Sequence, residues 1–458
     1  MRKGLLRSVA ILTVLALLLS FTACTNTNPA KPATGASAAA STATQSPDVP
    51  KEMTLTIWHS AFTSAAEKEK PENEWTVNKI FKNFEAANPG VTIVSVFQAD
   101  QQVAQSKLKA AVLANNAPDI INTYSGYLVT ALSDALLDIT QYVPGNDLSQ
   151  ITGWASVRKN LAADGPIYGY PAAGAELGCL VYNKSLVSAA GVDLEGAGKP
   201  KTAEEFITAM KKIKDSGVQP IVAKDDGYNS AWMFPFGAWW TQYVGSERVT
   251  SDSLGKTKFV DDAAFIKTLS FANRLFKEGI INQDYITIAD PASEFYNKRA
   301  AMMVTGNWEI QNCIDQLGED AGLYTVPSFD TDVKYPDAAI GGVGQSFSVS
   351  KTCKNPAMAV KLLSFYNNKE NVLTMAKINS KMPQRTDITP EELSWAGKPI
   401  FEKLMKICNN NLFGWNDNAM QPDVMNEYYV QSSLAVIGKI TAKQCAEALD
   451  AKAAEVNK

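Results

Sequence analysis

A regular alternation of strand-like and helix-like patterns, beginning at Met53, is the feature that most constrains the fold. Leu55 and Ile57 alternate with threonines, as in a strand with one buried face, and the apolar residues of 77–84 recur at helical spacing. An NPG sequence at 88–90 ends this helix, and a second strand, a second helix and a third apolar segment follow. This β-α-β-α-β order predicts an α/β fold with a largely parallel sheet that helices cover on both faces.

The length of the chain predicts more than one hydrophobic core. It has 458 residues, 46% of them hydrophobic, whereas a single core stops growing at roughly 250 to 300 residues. The alternating pattern returns after 180–182, where Thr202 and Glu205 have the spacing of a helix capping box and a further strand, 219–223, follows. We therefore expect two α/β lobes and a helix-rich carboxyl end.

The amino terminus has the pattern of a bacterial lipoprotein signal. Basic residues precede an apolar run, 9–19, which is about half the roughly 20 residues of a membrane-spanning helix, and an FTAC sequence ends at Cys24. We expect 1–23 to be removed as a signal peptide and Cys24 to carry a lipid that anchors the protein to the outer face of the cell membrane. Simple secretion and an uncleaved anchor are the alternatives, and all three put the folded part outside the cytoplasm.

The segment that follows, 24–52, is predicted to be a disordered tether. It consists mainly of Ser, Thr, Ala, Pro, Asn and Gln, and Val49 is its one bulky apolar residue. Such a segment cannot bury enough apolar surface to fold, so it links the lipid flexibly to the folded part.

The composition argues against several kinds of partner and site. Acidic residues number 47 against 43 Lys and Arg, so there is no basic excess of the kind that nucleic-acid binding favours. The one histidine excludes a site with two imidazole ligands, and the cysteines beyond Cys24 show no metal-like spacing, so we expect neither a metal nor another cofactor. Those five cysteines predict buried thiols, with one disulfide as the alternative.

The tryptophans are more informative than any catalytic motif, because the sequence contains no P-loop, no GxSxG elbow and no HExxH zinc site. A sugar ring offers apolar C–H faces and a rim of hydroxyls, so a sugar site combines aromatic rings with carboxylates and amides. The sequences WHS at 58–60 and WNDN at 415–418 have this composition. They predict a carbohydrate-binding surface, with core packing as the alternative for any single tryptophan.

Four dispersed segments carry a family resemblance. The sequence EFYNKRAAMMVTGNW at 294–308 is similar to the pattern F-x-x-G-x-A-A-M-x-x-x-G-x-W, although Asn297 and Lys298 stand where the family usually has the first glycine. The others are NAPDI at 116–120, VYNKSL at 181–186 and KPKTAEEF at 199–206, in which Ala203 replaces a usual tryptophan. In this order they resemble the extracellular solute-binding proteins (family 1) of carbohydrate ABC importers, the group that includes maltose-binding protein.

The resemblance implies a two-lobed, periplasmic-binding-protein-like fold of type II, with the ligand in a cleft between lobes that hinge crossovers join. The amino-terminal lobe would comprise 53–175 and 343–386, and the carboxyl-terminal lobe 176–342 and 387–458. The resemblance implies no catalysis.

The resemblance also implies which residues contact the ligand. They are Trp58, His59, Tyr124 and Ser125 in the first lobe, Glu176 at the crossover, and Trp239, Trp308, Trp415 and Asp417 in the second lobe. Trp308 lies inside the matching signature, whereas the assignment of Trp239 rests on a loop that varies across the family. For His59 the alternative is a satisfied polar residue at a strand end.

These observations together predict a monomeric, lipid-anchored receptor that captures a sugar, in particular an oligosaccharide, and delivers it to the permease subunits of an ABC importer. One alternative is a surface-anchored glycan-degrading enzyme, which would need two carboxyl groups about 5 to 10 Å apart. The other is a receptor of the same fold for a non-sugar solute.

Overall fold

The computed structural model describes most of the chain beyond the predicted signal and tether. The described residues are 52–458 except 61, 100, 162–163, 226, 228–229, 380–381, 394–398 and 411. The predictions for 1–23, for Cys24 and for all but the last residue of the tether therefore lie outside the described residues.

The described residues contain nine strands and sixteen α-helices. The strands are β1 (Met53–His59), β2 (Val91–Phe97), β3 (Ile120–Tyr124), β4 (Tyr170–Asn183), β5 (Gln219–Val222), β6 (Ala300–Gly306), β7 (Ala321–Tyr324), β8 (Ala339–Val349) and β9 (Leu412–Gly414). The first eight helices are α1 (Ala65–Lys68), α2 (Thr76–Ala87), α3 (Gln101–Leu113), α4 (Tyr127–Ala131), α5 (Gly145–Gln150), α6 (Lys184–Ala189), α7 (Ala203–Asp215) and α8 (Ala238–Ser253). The others are α9 (Ala263–Lys277), α10 (Pro291–Tyr296), α11 (Ile310–Leu317), α12 (Pro356–Tyr366), α13 (Lys369–Asn379), α14 (Pro399–Asn410), α15 (Pro422–Val436) and α16 (Ala442–Val456). A π-helical turn, Trp232–Phe236, precedes α8.

The strands form one mixed sheet in the order β2-β1-β3-β8-β4-β6-β5, with β7 beside β4 and β9 beside β8. Strand β1 pairs in parallel with β2 and β3, as the β-α-β-α-β pattern predicts. Strand β8 runs antiparallel to both β3 and β4, so the expectation of a largely parallel sheet is corrected. The reason is that many elements separate β8 from β3 and β4 in the chain. No short helical crossover therefore fixes the direction of β8.

The helices bury the faces that their apolar spacing predicts. In α2 the buried residues are Val77, Ile80, Phe81 and Phe84, and in α7 they include Phe206, Met210 and Ile213. Thr202 caps α7 by accepting a hydrogen bond from the Glu205 amide, whereas the Glu205 carboxylate accepts from Lys201 instead of closing a capping box. Local pattern therefore predicted these helices well.

The two largest clusters of buried apolar residues both include residues of β4 and β8. The first core packs β1, β2, α2 and α12, and it receives Tyr170 from β4 and Phe347 from β8. The second core packs α7, α8, α9, α15 and α16, and it receives Tyr182 from β4 and Ile340 from β8. Each of these two strands therefore runs from one core to the other. The lobe boundaries at 175/176 and 342/343 remain a prediction, and both fall inside these strands.

The pairing of β4 with β8 is irregular where the strands pass between the cores. Their register shifts between Ala172 and Ala175, and Gly174 has a φ of 76°, a conformation that favours glycine. The backbone at Met382 pairs with Ala175, which adds a third chain segment to the crossing.

Three further observations concern the predictions made from composition. In the described part of the chain, no helix is both long enough and apolar enough to cross a membrane. The cysteines at 179, 313, 353, 408 and 445 are free thiols. No group of three or more His, Cys, Asp and Glu residues that could hold a metal occurs among the described residues.

Candidate functional site

A cavity of about 470 Å³ opens beside the crossing strands. Strand β4, strand β8 and segments that belong to both cores contribute to its walls. Its lining includes Ser60, Thr63, Ser64, Ala66, Lys68, Tyr124, Glu176, Phe234, Trp308, Glu309, Gln311, Asn312, Asp315, Gly344, Gln345, Ile378, Trp415, Asp417 and Asn418.

Three aromatic rings form one wall of this cavity. The Phe234 ring lies between the other two, with centroid distances of 5.6 Å to Trp308 and 5.5 Å to Trp415, both edge to face. Trp308 is 36% exposed and Trp415 only 7%. Trp308 follows the end of β6, where a Cβ at Gly306 would lie 2.1 Å from its ring, so only glycine lets the indole fold back over the strand end. Trp308 therefore offers the most open face for stacking.

Glu176 projects from β4 beside the Trp415 indole. A Cβ at Gly344 would lie 2.2 Å from Glu176 Oε2 and 3.3 Å from Trp415 Nε1, so the glycine makes room for both groups. The Asn307 side chain holds the β4 backbone on either side of Glu176, because it accepts from the Leu177 amide at 2.8 Å and donates to the Ala175 carbonyl at 3.2 Å. The residue that precedes Trp308 therefore also fixes the position of Glu176.

A polar row runs along α11. Glu309, which directly precedes α11, and Asn312 and Asp315 within it are spaced three residues apart, and all of them line the cavity. Glu309 Oε1 accepts hydrogen bonds from the Tyr296 hydroxyl at 2.5 Å and from Asn312 Nδ2 at 2.6 Å. Burial and the Glu309 carboxylate raise the pKa of Tyr296, so this hydroxyl keeps its proton and remains a donor.

Asp417 and Asn418 form another part of the cavity wall. The Tyr429 hydroxyl donates to Asp417 Oδ2 at 2.8 Å. Burial raises the pKa of Asp417, while this hydrogen bond acts in the opposite direction. Asn418 Nδ2 donates to Ser125 Oγ at 3.3 Å, and the Ser125 hydroxyl donates to the Val343 carbonyl. Ser125 thus connects this wall to the end of β3.

A hydrogen-bonded chain of amides supports the wall next to β1 and β3. Ser60 Oγ donates to Asn122 Oδ1 at 3.0 Å, and Asn122 Nδ2 donates to Gln345 Oε1 at 3.0 Å. Gln101 Nε2 donates to the same Gln345 oxygen at 2.6 Å. Ser60 and Gln345 therefore reach the cavity with side chains that are already oriented.

A second cavity of about 380 Å³ adjoins the first. The two share Tyr124, Asp417 and Asn418, and the rest of the second is lined from α3, α4 and α15. Together the two cavities provide more space than a single sugar ring needs.

Five of the residues predicted to contact the ligand line the first cavity: Tyr124, Glu176, Trp308, Trp415 and Asp417. Ser125 lies one step behind the lining, where it holds Asn418. These residues come from β3, β4 and the segments after β6 and β9, and the fold brings them together.

His59 and Trp58, which were expected to contact the ligand, do not line either cavity. The His59 side chain is 1% exposed, its Nε2 lies 3.0 Å from Ser95 Oγ, and burial lowers its pKa to about 4. It falls on the same face of β1 as Leu55 and Ile57, which is the core face. Trp58 is on the opposite face and packs against a small apolar cluster under α3 and α4.

Trp239, which was also expected to contact the ligand, lies in the second core and lines neither cavity. Its side chain is fully buried, its Nε1 donates to the Pro327 carbonyl at 3.0 Å, and its ring stacks on Phe236 at 5.0 Å. The aromatic residue that this part of the chain supplies to the cavity is Phe234 instead.

The sequence reasoning missed several lining residues. Glu309 directly follows Trp308, and Asn418 lies in the WNDN sequence that was already singled out, so both had a usable signal. Phe234 and Gln345 had none, because nothing in the local pattern distinguishes them from core residues.

The arrangement is suited to holding a polar molecule with flat apolar faces. Aromatic rings line one side, while carboxylates, amides and hydroxyls supply hydrogen bonds from the others. Neither histidine nor cysteine occurs among the described residues of this lining.

A family model described as bacterial extracellular solute-binding protein matches residues 79–403. A galactooligosaccharide-binding protein of Bacillus subtilis is 26% identical over 274 residues, which are 59% of this chain and 61% of that protein. The chain thus spans about three fifths of the length of that relative. An sn-glycerol-3-phosphate-binding periplasmic protein of Escherichia coli K12 is 24% identical over 340 residues, 69% of this chain and 71% of that protein.

Solved structures show the same fold. A chitin oligosaccharide binding protein superposes with a TM-score of 0.73 at 20% identity, covering 89% of this chain and 99% of that one. The sugar-binding protein MalE from Xanthomonas citri gives 0.66 at 19% identity, covering 88% and 97%. The chain therefore has the two-lobed α/β architecture that was expected.

Proposed function

Because this chain belongs to the bacterial extracellular solute-binding family, we propose that it is the receptor of an ABC importer that binds a carbohydrate in the cavity beside its crossing strands. It binds this ligand without changing it chemically and presents the closed complex to the permease. A ligand that contacts both lobes favours the closed form, so the permease can distinguish a loaded receptor from an empty one.

The observation that carries this proposal is the composition of the cavity wall. The rings of Phe234, Trp308 and Trp415 adjoin the carboxylates of Glu176 and Asp417. A sugar ring needs both kinds of group, because its C–H faces stack on aromatic rings while its hydroxyls require acceptors and donors in fixed positions.

The second cavity supports an oligosaccharide over a single sugar. It shares Tyr124, Asp417 and Asn418 with the first cavity, so a linear ligand bound at the aromatic wall can extend past these three residues. The expected ligand therefore has at least two rings.

The amino-terminal sequence supports a lipid anchor at Cys24 on the outer face of the cell membrane, with 24–52 as the tether. A monomer is sufficient for this function, since the proposed site is formed by one chain. The permease subunits and the membrane, through the lipid, are the partners.

Thermal unfolding of the protein against a panel of mono- and oligosaccharides tests the function. A ligand present at 100 times its dissociation constant stabilises the native state by about 2.7 kcal/mol. We expect a clear rise in the unfolding temperature with one class of glycan. If no sugar raises it, the carbohydrate proposal fails and a non-sugar solute becomes the better hypothesis.

The same samples test the enzyme alternative. After prolonged incubation of the protein with each glycan, the concentration of reducing ends is expected to equal that of the sugar alone. Sustained release of new reducing ends would instead identify a glycan-degrading enzyme.

A further inference from the structure

Carboxylates outnumber cations in the wall of the first cavity. Among its described lining residues, Glu176, Glu309, Asp315 and Asp417 are acidic and Lys68 alone is basic. The Lys68 side chain is exposed, and its Nζ lies 5.7 Å from the centroid of the Phe97 ring, which is not part of this lining. The lining of this cavity therefore contains an excess of acidic residues over basic ones.

Two of the carboxylates adjoin residues of the aromatic wall. Glu176 and the Trp415 indole both adjoin Gly344, while Glu309 directly follows Trp308 in the chain. An aromatic face and a carboxylate are the two groups that attract an ammonium ion most strongly, the first through its quadrupole and the second through its charge. Here both kinds of group line one cavity.

We propose that this cavity selects its ligand by charge: it favours a sugar that carries an ammonium group over the neutral sugar, and it rejects the carboxylated or phosphorylated sugar. This inference rests on the proposed function, because it names the class of carbohydrate that the same site takes.

The geometry of Glu309 illustrates the physical basis. Its two hydrogen bonds, from Tyr296 and Asn312, both reach Oε1, so Oε2 can accept a third donor from a ligand. An ammonium group supplies that donor together with a favourable charge, whereas a hydroxyl supplies the donor alone. A carboxylate or phosphate offers only acceptors to this oxygen and is repelled by the carboxylates of the lining.

Matched sugars test the proposal on the full-length chain. We would measure dissociation constants by calorimetry for glucosamine, glucose, glucuronic acid and glucose 6-phosphate, for the four corresponding galactose compounds, and for the β-1,4-linked disaccharides of glucosamine and glucose. sn-Glycerol 3-phosphate completes the set as an anion without a ring. The amino compound is expected to bind about tenfold more tightly than its neutral parent, and the anions at least tenfold more weakly.

Salt and one substitution locate the origin of this preference. Raising the ionic strength should lower the affinity for the amino sugar and leave the affinity for the neutral sugar unchanged. Glu309→Gln keeps an oxygen for Tyr296 and Asn312 but removes the charge, so it should reduce the ratio of amino to neutral affinity several-fold. Glu319→Gln is the matched control, since this exposed carboxylate follows the same helix and does not line the cavity.

The outcomes separate this inference from the proposed function. Equal affinities for the amino and neutral sugars, or tight binding of an anion, would overturn charge selection and leave the sugar receptor intact. Binding of none of the sugars would overturn both. If Glu309→Gln and Glu319→Gln reduce the preference for the amino sugar equally, the preference does not originate in the cavity. This outcome would also contradict the proposal.

Discussion

The rings of the aromatic wall differ in how much surface each offers to a ligand. Trp415 is 7% exposed and packs edge to face against Phe234, whereas Trp308 is 36% exposed. A planar ligand that covers the exposed part of the Trp308 ring removes apolar surface from water, which favours binding. Trp308 is therefore the residue whose truncation should reveal stacking most directly.

Replacing Trp308 by Ala is expected to weaken sugar binding by roughly 1 to 3 kcal/mol, because the stacking surface is lost. Calorimetric titration with the best glycan of the panel measures the change. Trp308→Phe keeps part of the ring and should recover part of the affinity. If Trp308→Ala binds as tightly as the wild type, Trp308 is not in the site.

His59 gives a pH-dependent contribution to stability with a definite sign. Burial lowers its pKa from 6.5 to about 4. Above pH 6.5 the ring is neutral in both states, but below it the unfolded chain takes up a proton that the folded protein refuses, so the free energy of unfolding falls. Between pH 7 and pH 4.5 this loss amounts to about 2 to 3 kcal/mol.

Urea unfolding of the wild type and of His59→Gln at both pH values measures this contribution. The chain contains one histidine, so the wild type should lose about 2 to 3 kcal/mol more than the variant on acidification. Each protein is compared with itself at pH 7, which removes any constant effect of the substitution. Equal losses in the two proteins would show that His59 is accessible to protons in the folded state.

The strands that pass between the two cores leave little room for side chains. Gly341 in β8 lies opposite Leu177 of β4, and a Cβ at Gly341 would be 2.0 Å from the Glu176 carbonyl oxygen. Because that neighbour is backbone in a sheet, it cannot move aside as a flexible side chain would. The element that carries Glu176 is thus held by a close contact with β8.

Gly341→Ala is expected to destabilise the protein by about 1 to 3 kcal/mol and to weaken sugar binding, because the added methyl group forces β4 and Glu176 to shift. Gly414→Ala is the matched control. Gly414 lies in β9 and pairs with Gly341, and a Cβ at Gly414 would meet nothing within 4 Å. The control should change stability by less than about 0.5 kcal/mol. Urea midpoints and sugar titrations of both variants provide the test, and similar losses in the two would contradict it.

Sequence predicts elements well where the pattern is local and less well where distant segments meet. The buried face of α2 followed directly from its apolar spacing. The direction of β8 did not, because it depends on pairing with β3 across the whole second lobe. In the site, Trp308 lies within a recognisable signature and lines the cavity, whereas Trp239 is buried in the core. Composition alone does not distinguish a buried tryptophan from a cavity-lining one. The burial of His59 could have been inferred, since it shares the core face of β1 with Leu55 and Ile57.

At the scale of the whole molecule, the cavity depends on both cores at once. Asn418, beyond β9, hydrogen-bonds to Ser125, next to β3, and Asn307, beyond β6, holds the backbone of β4 around Glu176. The crossing strands contain glycines with positive φ, Gly174 and Gly342, whose backbone tolerates changes that other residues resist. A ligand in this cavity would therefore contact segments that belong to both cores.

Sugar binding is consequently expected to favour a more compact average shape, because the ligand binds the closed form more tightly than the open one. Small-angle X-ray scattering should show a smaller radius of gyration at saturating sugar. Trp308→Ala at the same sugar concentration is the control, since its weaker affinity leaves more of the population open. If calorimetry shows that the sample is saturated with sugar and the radius of gyration is still unchanged, the free protein is already closed. The permease would then have to recognise the bound sugar by some feature other than lobe closure.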